Sequence, residues 1–133
     1  MIAFRRTIAA TAVIALAGLA NCKVEASPPT PGTVTVSFQS PNTDDGAVLL
    51  TLTGPGIQGV QPASSNYKAY WRVVSATEAR LLVVGNITNG VVATLTIDDL
   101  SKVKEYAGTL IEVASRSDAV RASVAGYSIS ISR

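Results

Sequence analysis

The chain has 133 residues, of which 47% are hydrophobic and 15% are charged, a composition that fits one folded domain rather than a disordered chain. Removing Arg5 and Arg6, which lie in an apolar leader, leaves nine basic against nine acidic residues, and a net charge near zero excludes an electrostatic surface for nucleic acid. The sequence contains no His, which excludes Ser-His and Cys-His nucleophiles and His-based metal sites.

Residues 1–21 have the pattern of an export signal. A basic segment, MIAFRR, precedes the apolar run TIAATAVIALAGLA, which is shorter than the roughly 20 residues that a membrane-spanning helix needs. The charged residues Lys23 and Glu25 follow almost directly. We therefore predict a signal helix that directs export and is removed from the mature chain.

The only cysteine, Cys22, follows this leader in the sequence LANC. The motif resembles the lipobox of bacterial lipoproteins, in which the thiol is acylated and becomes the first mature residue. Leu19 and Ala20 match that pattern, and Asn21 stands where the family prefers a smaller residue. The resemblance implies lipid attachment at Cys22, in the outer membrane if the cell has one, because Lys23 is not an acidic retention signal. The alternative is ordinary cleavage after GLA or VEA, which gives a periplasmic or secreted protein.

Residues 22–32, CKVEASPPTPG, are rich in proline, which favours extended polyproline-type backbone over a collapsed coil. A chain of this length reaches roughly 35 Å when fully extended. We predict a tether that holds the following domain away from the lipid headgroups.

Residues 33–133 alternate hydrophobic and polar positions in short segments, as half-buried strands do. The segments are TVTVSFQ, GAVLLTLTG, YKAYWRVVS, EARLLVVGN, VVATLTI, TLIEVAS and GYSISIS. Turn signals recur about every 10 residues, which predicts one all-β domain, an antiparallel β-sandwich of seven to nine strands. Between the fourth and fifth segments, Asn89-Gly90 predicts a hairpin because both residues tolerate positive φ.

The alternation also predicts which side chains point into the core. The predicted inward residues are Val34, Val36, Phe38, Val48, Leu50, Leu52, Tyr67, Ala69, Trp71, Val73, Val91, Ala93, Leu95, Ile97, Tyr127, Ile129 and Ile131. Two stretches have helical signals instead. They are DDLSKVKEY, which Asp98 or Asp99 would cap, and SRSDAVRASVAG, which would begin at Ser117 and end at Gly126. We expect one or two helical turns in each.

The strand sequence resembles cohesin-like modules, the jelly-roll sandwiches related to carbohydrate-binding domains. The resemblance lies in GAVLLTLTGPGIQGVQ, EARLLVVGNITNGVVATLTIDD, TLIEVASRSDAV and GYSISIS, and it covers most of residues 33–132. It consists of a strand rhythm and not of a catalytic signature. It implies a cohesin-like jelly roll that binds a dockerin-like protein or a polysaccharide, and fold alone does not choose between these partners.

The aromatic segment YKAYWRVVS contains the candidate ligand surface. In a strand, Tyr67 and Trp71 fall on the inward face, whereas Lys68, Tyr70 and Arg72 share the opposite face. Aromatic and Arg side chains are enriched where proteins bind their partners. We therefore predict that Lys68, Tyr70 and Arg72 contact the ligand.

Two acidic pairs, Asp44-Asp45 and Asp98-Asp99, are the only pairs that could serve a carboxylate-dependent hydrolase. Both fall where turns or helix caps are expected, and there Asp commonly supports the backbone. The segment PNTDDG also offers Asn42, Asp44 and Asp45 as oxygen ligands for calcium, but without the longer ligand series of an EF-hand loop. We expect no catalytic residue, no cofactor and no metal, with calcium at this segment as the alternative.

Three function classes remain. The first is a non-enzymatic, lipid-anchored envelope protein whose sandwich binds a protein or a glycan. The second is a structural or assembly accessory of the envelope, which would show a flat, polar surface without an apolar patch or groove. The third is a hydrolase, which needs Asp44 or Asp45 within reach of another carboxyl group in a cleft.

Overall fold

A computed structural model describes residues 26–133, so that the predicted signal helix and Cys22 lie outside the described residues. Residues 26–31 are exposed and belong to neither helix nor strand. Eight strands and one short 3-10 helix follow: β1 Gly32–Gln39, β2 Asp45–Thr53, β3 Ile57–Pro62, β4 Tyr67–Ser75, β5 Glu78–Ile87, β6 Gly90–Ile97, η1 Leu100–Glu105, β7 Ala107–Ser115 and β8 Ser128–Ser132. Across residues 26–133 there is no helix with the length and hydropathy needed to span a membrane.

The strands form two four-stranded sheets that pack face to face. Sheet 1 has the order β3-β6-β1-β8, and sheet 2 has the order β4-β5-β2-β7. Every pairing within the sheets is antiparallel. The prediction of an antiparallel β-sandwich of seven to nine strands is confirmed. Because successive strands run in opposite directions, the connections lie at two ends, and η1 lies at the end where β1 begins.

The fully buried hydrophobic side chains between the sheets are aliphatic, apart from the phenyl ring of Phe38. The alternation predicted it correctly in β1, where Val34, Val36 and Phe38 are fully buried, and in β2. The fully buried large side chains are Phe38, Leu50, Leu52, Leu81, Leu95, Ile97, Val34, Val36, Val48, Val83, Val92 and Val113. Burying an aliphatic side chain contributes about 1.5 to 3 kcal/mol to the free energy of folding. This set therefore supplies most of the stabilisation that holds the two sheets together.

In β6 the predicted inward set is wrong at Val91, which is 41% exposed, while its neighbour Val92 is fully buried. Val36 of β1 pairs with Ala93 and Ser37 pairs with Val91, so that Val92 is an extra residue in the ladder. Such a β-bulge shifts the alternation by one residue. The strand therefore buries two successive residues, and Val91 points outward.

β4 is an edge strand, and the alternation fails at its end. Val73 was predicted to point inward, but it is 59% exposed. The register with β5 shifts between Val73 and Ser75, near the end of this edge strand. Tyr67, Ala69 and Trp71, earlier in the strand, pack against the core as predicted.

The Asn89-Gly90 turn does not close a hairpin. β5 ends at Ile87 in sheet 2 and β6 begins at Gly90 in sheet 1, so the turn takes the chain from one sheet to the other. Gly90 has the expected positive φ, 127°. Asn89 accepts a hydrogen bond on Oδ1 from the backbone N of Ser40 at 2.8 Å, which joins the turn to the β1–β2 loop.

β3, which pairs with β6 at an edge of sheet 1, is a strand that the alternation pattern does not predict. Its sequence, IQGVQP, contains a glycine and a proline, both of which are uncommon in strand interiors. An edge position tolerates them, because one side of the strand makes no ladder bonds. Only the pairing with β6 therefore identifies this segment as a strand.

The first predicted helical stretch forms η1, and of the two candidate caps, Asp98 and Asp99, the structure uses Asp99. Asp99 Oδ1 accepts from the backbone N of Ser101 at 3.0 Å. The backbone N of Leu100 donates to Thr30 O at 2.8 Å, which holds the last residues of the predicted tether against the sandwich. The predicted tether would therefore end near Thr30 rather than at residue 32.

The second predicted helical stretch, residues 117–126, is not a helix. Its backbone bonds back to β7: Arg121 N donates to Val113 O at 2.8 Å, and Val120 forms a bridge with Ala114. Groups bonded in this way cannot make the i to i−4 bonds of a helix. Asp118, with a φ of 62°, turns the chain back toward β7.

Candidate binding surface

The three residues predicted to contact a ligand lie next to one another on sheet 2. Lys68, Tyr70 and Arg72 all point away from the core, and Tyr70 is 58% exposed. They alternate with core-packed residues of the same strand, so the geometry of a single strand is enough to bring them together. The structure places all three on one solvent-facing surface.

This surface continues across all four strands of sheet 2, and we call it the outer face. The register with which the strands pair determines its members. Its outward-pointing side chains are Lys68, Tyr70 and Arg72 of β4, Glu78, Arg80, Leu82 and Val84 of β5, Ala47, Leu49, Thr51 and Thr53 of β2, and Thr109, Ile111, Glu112 and Ala114 of β7.

An apolar row crosses the middle of the outer face. Tyr70 pairs with Leu82, Leu82 pairs with Leu49, and Leu49 pairs with Glu112 on the far edge strand. Leu49 and Leu82 are half-buried, and a shallow groove of about 230 Å³ lies between them, Tyr70 and Arg72. Val84, 36% exposed, extends the apolar area along β5. Exposed apolar patches of this kind commonly mark interaction sites.

Positive charge is concentrated at the β4 edge of the outer face. Arg72 pairs directly with Arg80, and like charges opposite each other destabilise a sheet. Arg80 Nε lies 3.8 Å from Glu78 Oε1, an exposed and therefore weak ion pair. Within residues 26–133, Lys68 and Arg72 form no ion pair. Glu112, on β7, gives the opposite edge a negative charge.

The alternation pattern identifies no outer-face residue outside β4 as part of the ligand surface. Arg80, Leu82 and Leu49 belong to segments that this pattern predicts to be strands. Nothing local indicates that these residues lie beside Tyr70. Only the pairing of β4 with β5 and of β5 with β2 brings them together.

Asp44 and Asp45, the first acidic pair, form an ion-paired cluster at the opposite end of the sandwich from η1. Asp45 is fully buried, and its Oδ1 accepts from Arg121 Nη2 at 3.0 Å and from the Tyr127 hydroxyl at 3.1 Å. Its Oδ2 accepts from the Ser40 hydroxyl. The same Arg121 nitrogen donates to the exposed Asp44, and this bond lowers the pKa of Asp44 and raises that of Arg121.

In the segment that offers oxygen ligands for calcium, the positively charged side chain of Arg121 lies between the carboxylates of Asp44 and Asp45. Arg121 neutralises Asp44 and Asp45, and Asn42 donates its side-chain amide to the Tyr127 hydroxyl at 2.6 Å. In the part of the chain that the structure describes, no three His, Cys, Asp or Glu side chains are grouped to hold a metal ion. These contacts join the β1–β2 loop to residues 116–127.

The second acidic pair lies at η1, away from the first. Bonds from Ser101, first its hydroxyl and then its backbone N, lower the pKa of the Asp99 carboxyl. Nearby, the Tyr106 hydroxyl donates to Pro55 O, and burial raises the pKa of Tyr106. The polar contacts at this end of the molecule thus support the backbone, through a helix cap and the hydrogen bond of a buried tyrosine.

Comparisons with protein-family models, with curated proteins and with solved structures found no match to this chain.

Proposed function

We propose that this protein is an exported, lipid-anchored, non-enzymatic module of the bacterial cell envelope that binds a macromolecule through the outer face. The observation that supports this function best is the apolar row formed by Tyr70, Leu82 and Leu49 on an exposed sheet, bordered by Lys68 and Arg72. An accessory without a binding surface would have a polar face at this place. The combination of an aromatic residue, aliphatic residues and Arg is typical of the centre of a protein interface.

The proposed anchor rests on the LANC motif and on the proline-rich segment after it. The described part of that segment is exposed and joins the sandwich at the end that bears η1. The outer face lies along the side of the sandwich. A tether at one end therefore leaves the whole face accessible while the domain stands above a membrane, which suits a binding module of the outer membrane.

The class of partner that we favour is a protein rather than the polysaccharide that the cohesin resemblance also implies. Leu49, Leu82 and Val84 form the middle of the face, and their side chains offer no hydrogen bonds to the hydroxyl groups of a sugar. Apolar side chains of a protein partner would instead gain about 25 cal/mol for each Å² that the contact buries.

The acidic pairs do not support the hydrolase alternative. Asp45 has no exposed surface, and both Asp44 and Asp45 bind Arg121. Asp99 caps η1 at the other end of the molecule. A glycosidase needs two carboxyl groups that flank one substrate bond, roughly 5 to 10 Å apart.

Two experiments on the full-length chain test the proposal. Mass spectrometry of the mature N-terminus should show a diacylated or triacylated Cys22, and a start at any other residue would exclude the anchor. Photocrosslinking in intact cells tests the binding surface, with the crosslinking residue at position 84 on the outer face and a control at the exposed position 61 of β3. We expect a discrete crosslinked product from position 84 and at least ten-fold less from position 61. No product from position 84 would exclude the outer face as a binding surface.

A further inference from the structure

We infer that the partner of the outer face is a second copy of this chain, packed sheet 2 against sheet 2 about a two-fold axis parallel to the strands. This inference rests on the proposed function, because it identifies the partner of the same surface. It follows from the distribution of charge and apolar side chains over the four strands.

The charges of the outer face are arranged so that the face complements itself. Lys68 and Arg72 on β4, with Arg80 beside them, make one edge cationic, whereas Glu112 makes the β7 edge anionic. A two-fold axis that runs along the strands between β5 and β2 places β4 of one copy opposite β7 of the other. Glu112 of each copy then faces Tyr70 of its neighbour. Lys68 and Arg72 lie about 7 Å to either side of Tyr70 along the strand, within reach of flexible side chains.

The apolar residues complement one another under the same rotation. Leu82 and Leu49 are cross-strand partners on the two middle strands, and the axis exchanges them, so that Leu82 of one copy contacts Leu49 of the other. Val84 and Ala47 are partners in the next row and are exchanged in the same way. The centre of the contact is therefore apolar on both sides, with the ion pairs at its two edges.

The alternative two-fold axis in the plane of the face, perpendicular to the strands, is disfavoured. It places β4 opposite β4, so that Arg72 of one copy meets Lys68 of the other without an acidic neighbour. It also puts the N-terminal ends of the two copies at opposite ends of the dimer. The axis parallel to the strands keeps both β1 starts at the same end, which two chains anchored in one membrane require.

The size of the face predicts a weak dimer. Three of its four strands have nine residues, and strands about 4.8 Å apart with a rise of about 3.3 Å per residue give a face of roughly 570 Å². Twice this area only just exceeds the roughly 1,000 Å² of a specific interface. Anchoring both copies in one membrane raises their effective concentration, and this favours pairing without any further contact.

Charge exchange in the full-length chain tests the geometry. With the photocrosslinking residue at position 84, intact cells should give a product of twice the mass of the chain. Arg72→Glu and Glu112→Lys should each reduce that product about ten-fold, because each puts like charges at both edges of the contact. The double variant R72E/E112K should restore it. Co-expression of the two single variants should also restore it, because each mixed pair then has opposite charges at both edges.

The outcomes separate this inference from the proposed function. A crosslink from position 84 to a different protein or to a glycan, without the self-product, would overturn the dimer and leave the binding surface standing. Absence of any product would overturn both. A self-product that both single variants leave unchanged would overturn the two-fold geometry. Thermal melts of the variants serve as the folding control, because positions 72 and 112 are exposed.

Discussion

Arg121 donates through one nitrogen to the buried Asp45 at 3.0 Å and to the exposed Asp44 at 2.5 Å, and so joins residues 116–127 to the start of β2. Asp45 also accepts from Tyr127 and Ser40. A buried carboxylate is stable only when it is paired and hydrogen-bonded. These bonds explain why the loop before β8 follows β7 instead of forming the helix that its sequence suggests.

Replacing Asp45 tests how much this cluster stabilises the fold. We expect Asp45→Asn to lower the free energy of unfolding by about 2 kcal/mol, because the amide loses the charge that Arg121 binds and introduces a donor where a carboxylate oxygen accepts. Asp44→Asn, which changes the exposed member of the pair, is the matched control and should have a clearly smaller effect. Urea melts of both variants measure the difference. Equal losses of stability in the two variants would show that the burial of Asp45 does not account for its contribution to the fold.

Acid should destabilise the protein through its paired carboxyl groups. Arg121 lowers the pKa of Asp44, and Ser101 lowers that of Asp99. A carboxyl group whose pKa is lower in the folded state stabilises the protein above its unfolded pKa, about 4, and this contribution is lost as the pH falls through the folded value. We expect melting temperatures that change little between pH 7 and 5 and fall below pH 4. Asp44→Asn should make that fall less steep, and a curve parallel to that of the wild type would contradict the assignment.

Gly54 and Gly90 need glycine for different reasons. Both require its backbone freedom, but only Gly54 also lacks space for a side chain. Both have positive φ, 146° and 127°. A Cβ at Gly54 would lie 2.3 Å from Cδ1 of Tyr106, whereas a Cβ at Gly90 meets nothing within 4 Å. We expect Gly54→Ala to cost about 3 kcal/mol and Gly90→Ala about 1 kcal/mol, because only the first adds a clash to the backbone strain. Chemical denaturation measures both, and equal costs would show that the Tyr106 ring moves aside.

Substituting each of two neighbouring valines, one at a time, with a charged residue tests the position of the bulge in β6. Simple alternation assigns Val91 to the core, whereas the structure buries Val92 and exposes Val91. We expect Val92→Asp to destabilise the fold by more than about 3 kcal/mol, since it buries a charge without a partner, and Val91→Asp to be tolerated. Thermal melts of the two variants decide between the registers. A larger loss for Val91→Asp would place the bulge elsewhere.

The candidate surface shows where sequence reasoning succeeds and where it stops. Lys68, Tyr70 and Arg72 could be assigned to one face because strand geometry repeats every two residues. Arg80 and Leu82 could not be placed beside them, because no local pattern gives the register of β4 against β5. The apolar row and the arginine pair follow only from that register.

The turn at Asn89-Gly90 shows a similar division. The sequence predicts positive φ at this turn, and Gly90 has that conformation whereas Asn89 does not. The partner of each flanking strand depends on other segments: β5 pairs with β2 and β4, and β6 pairs with β1 and β3. A local turn therefore joins two sheets instead of two neighbouring strands.

The amino-acid sequence by itself determined that residues 33–133 form mainly strands, which face of β4 is exposed and that a helical turn begins at Asp98 or Asp99, because each depends on a few neighbouring residues. The tertiary structure alone decided the sheet orders, the bulge at Val92 and the pairing of Arg121 with Asp45. These features join segments far apart in the chain, as β1 and β8 are. Several registers satisfy the local pattern equally well, and the packing of the whole core selects one of them.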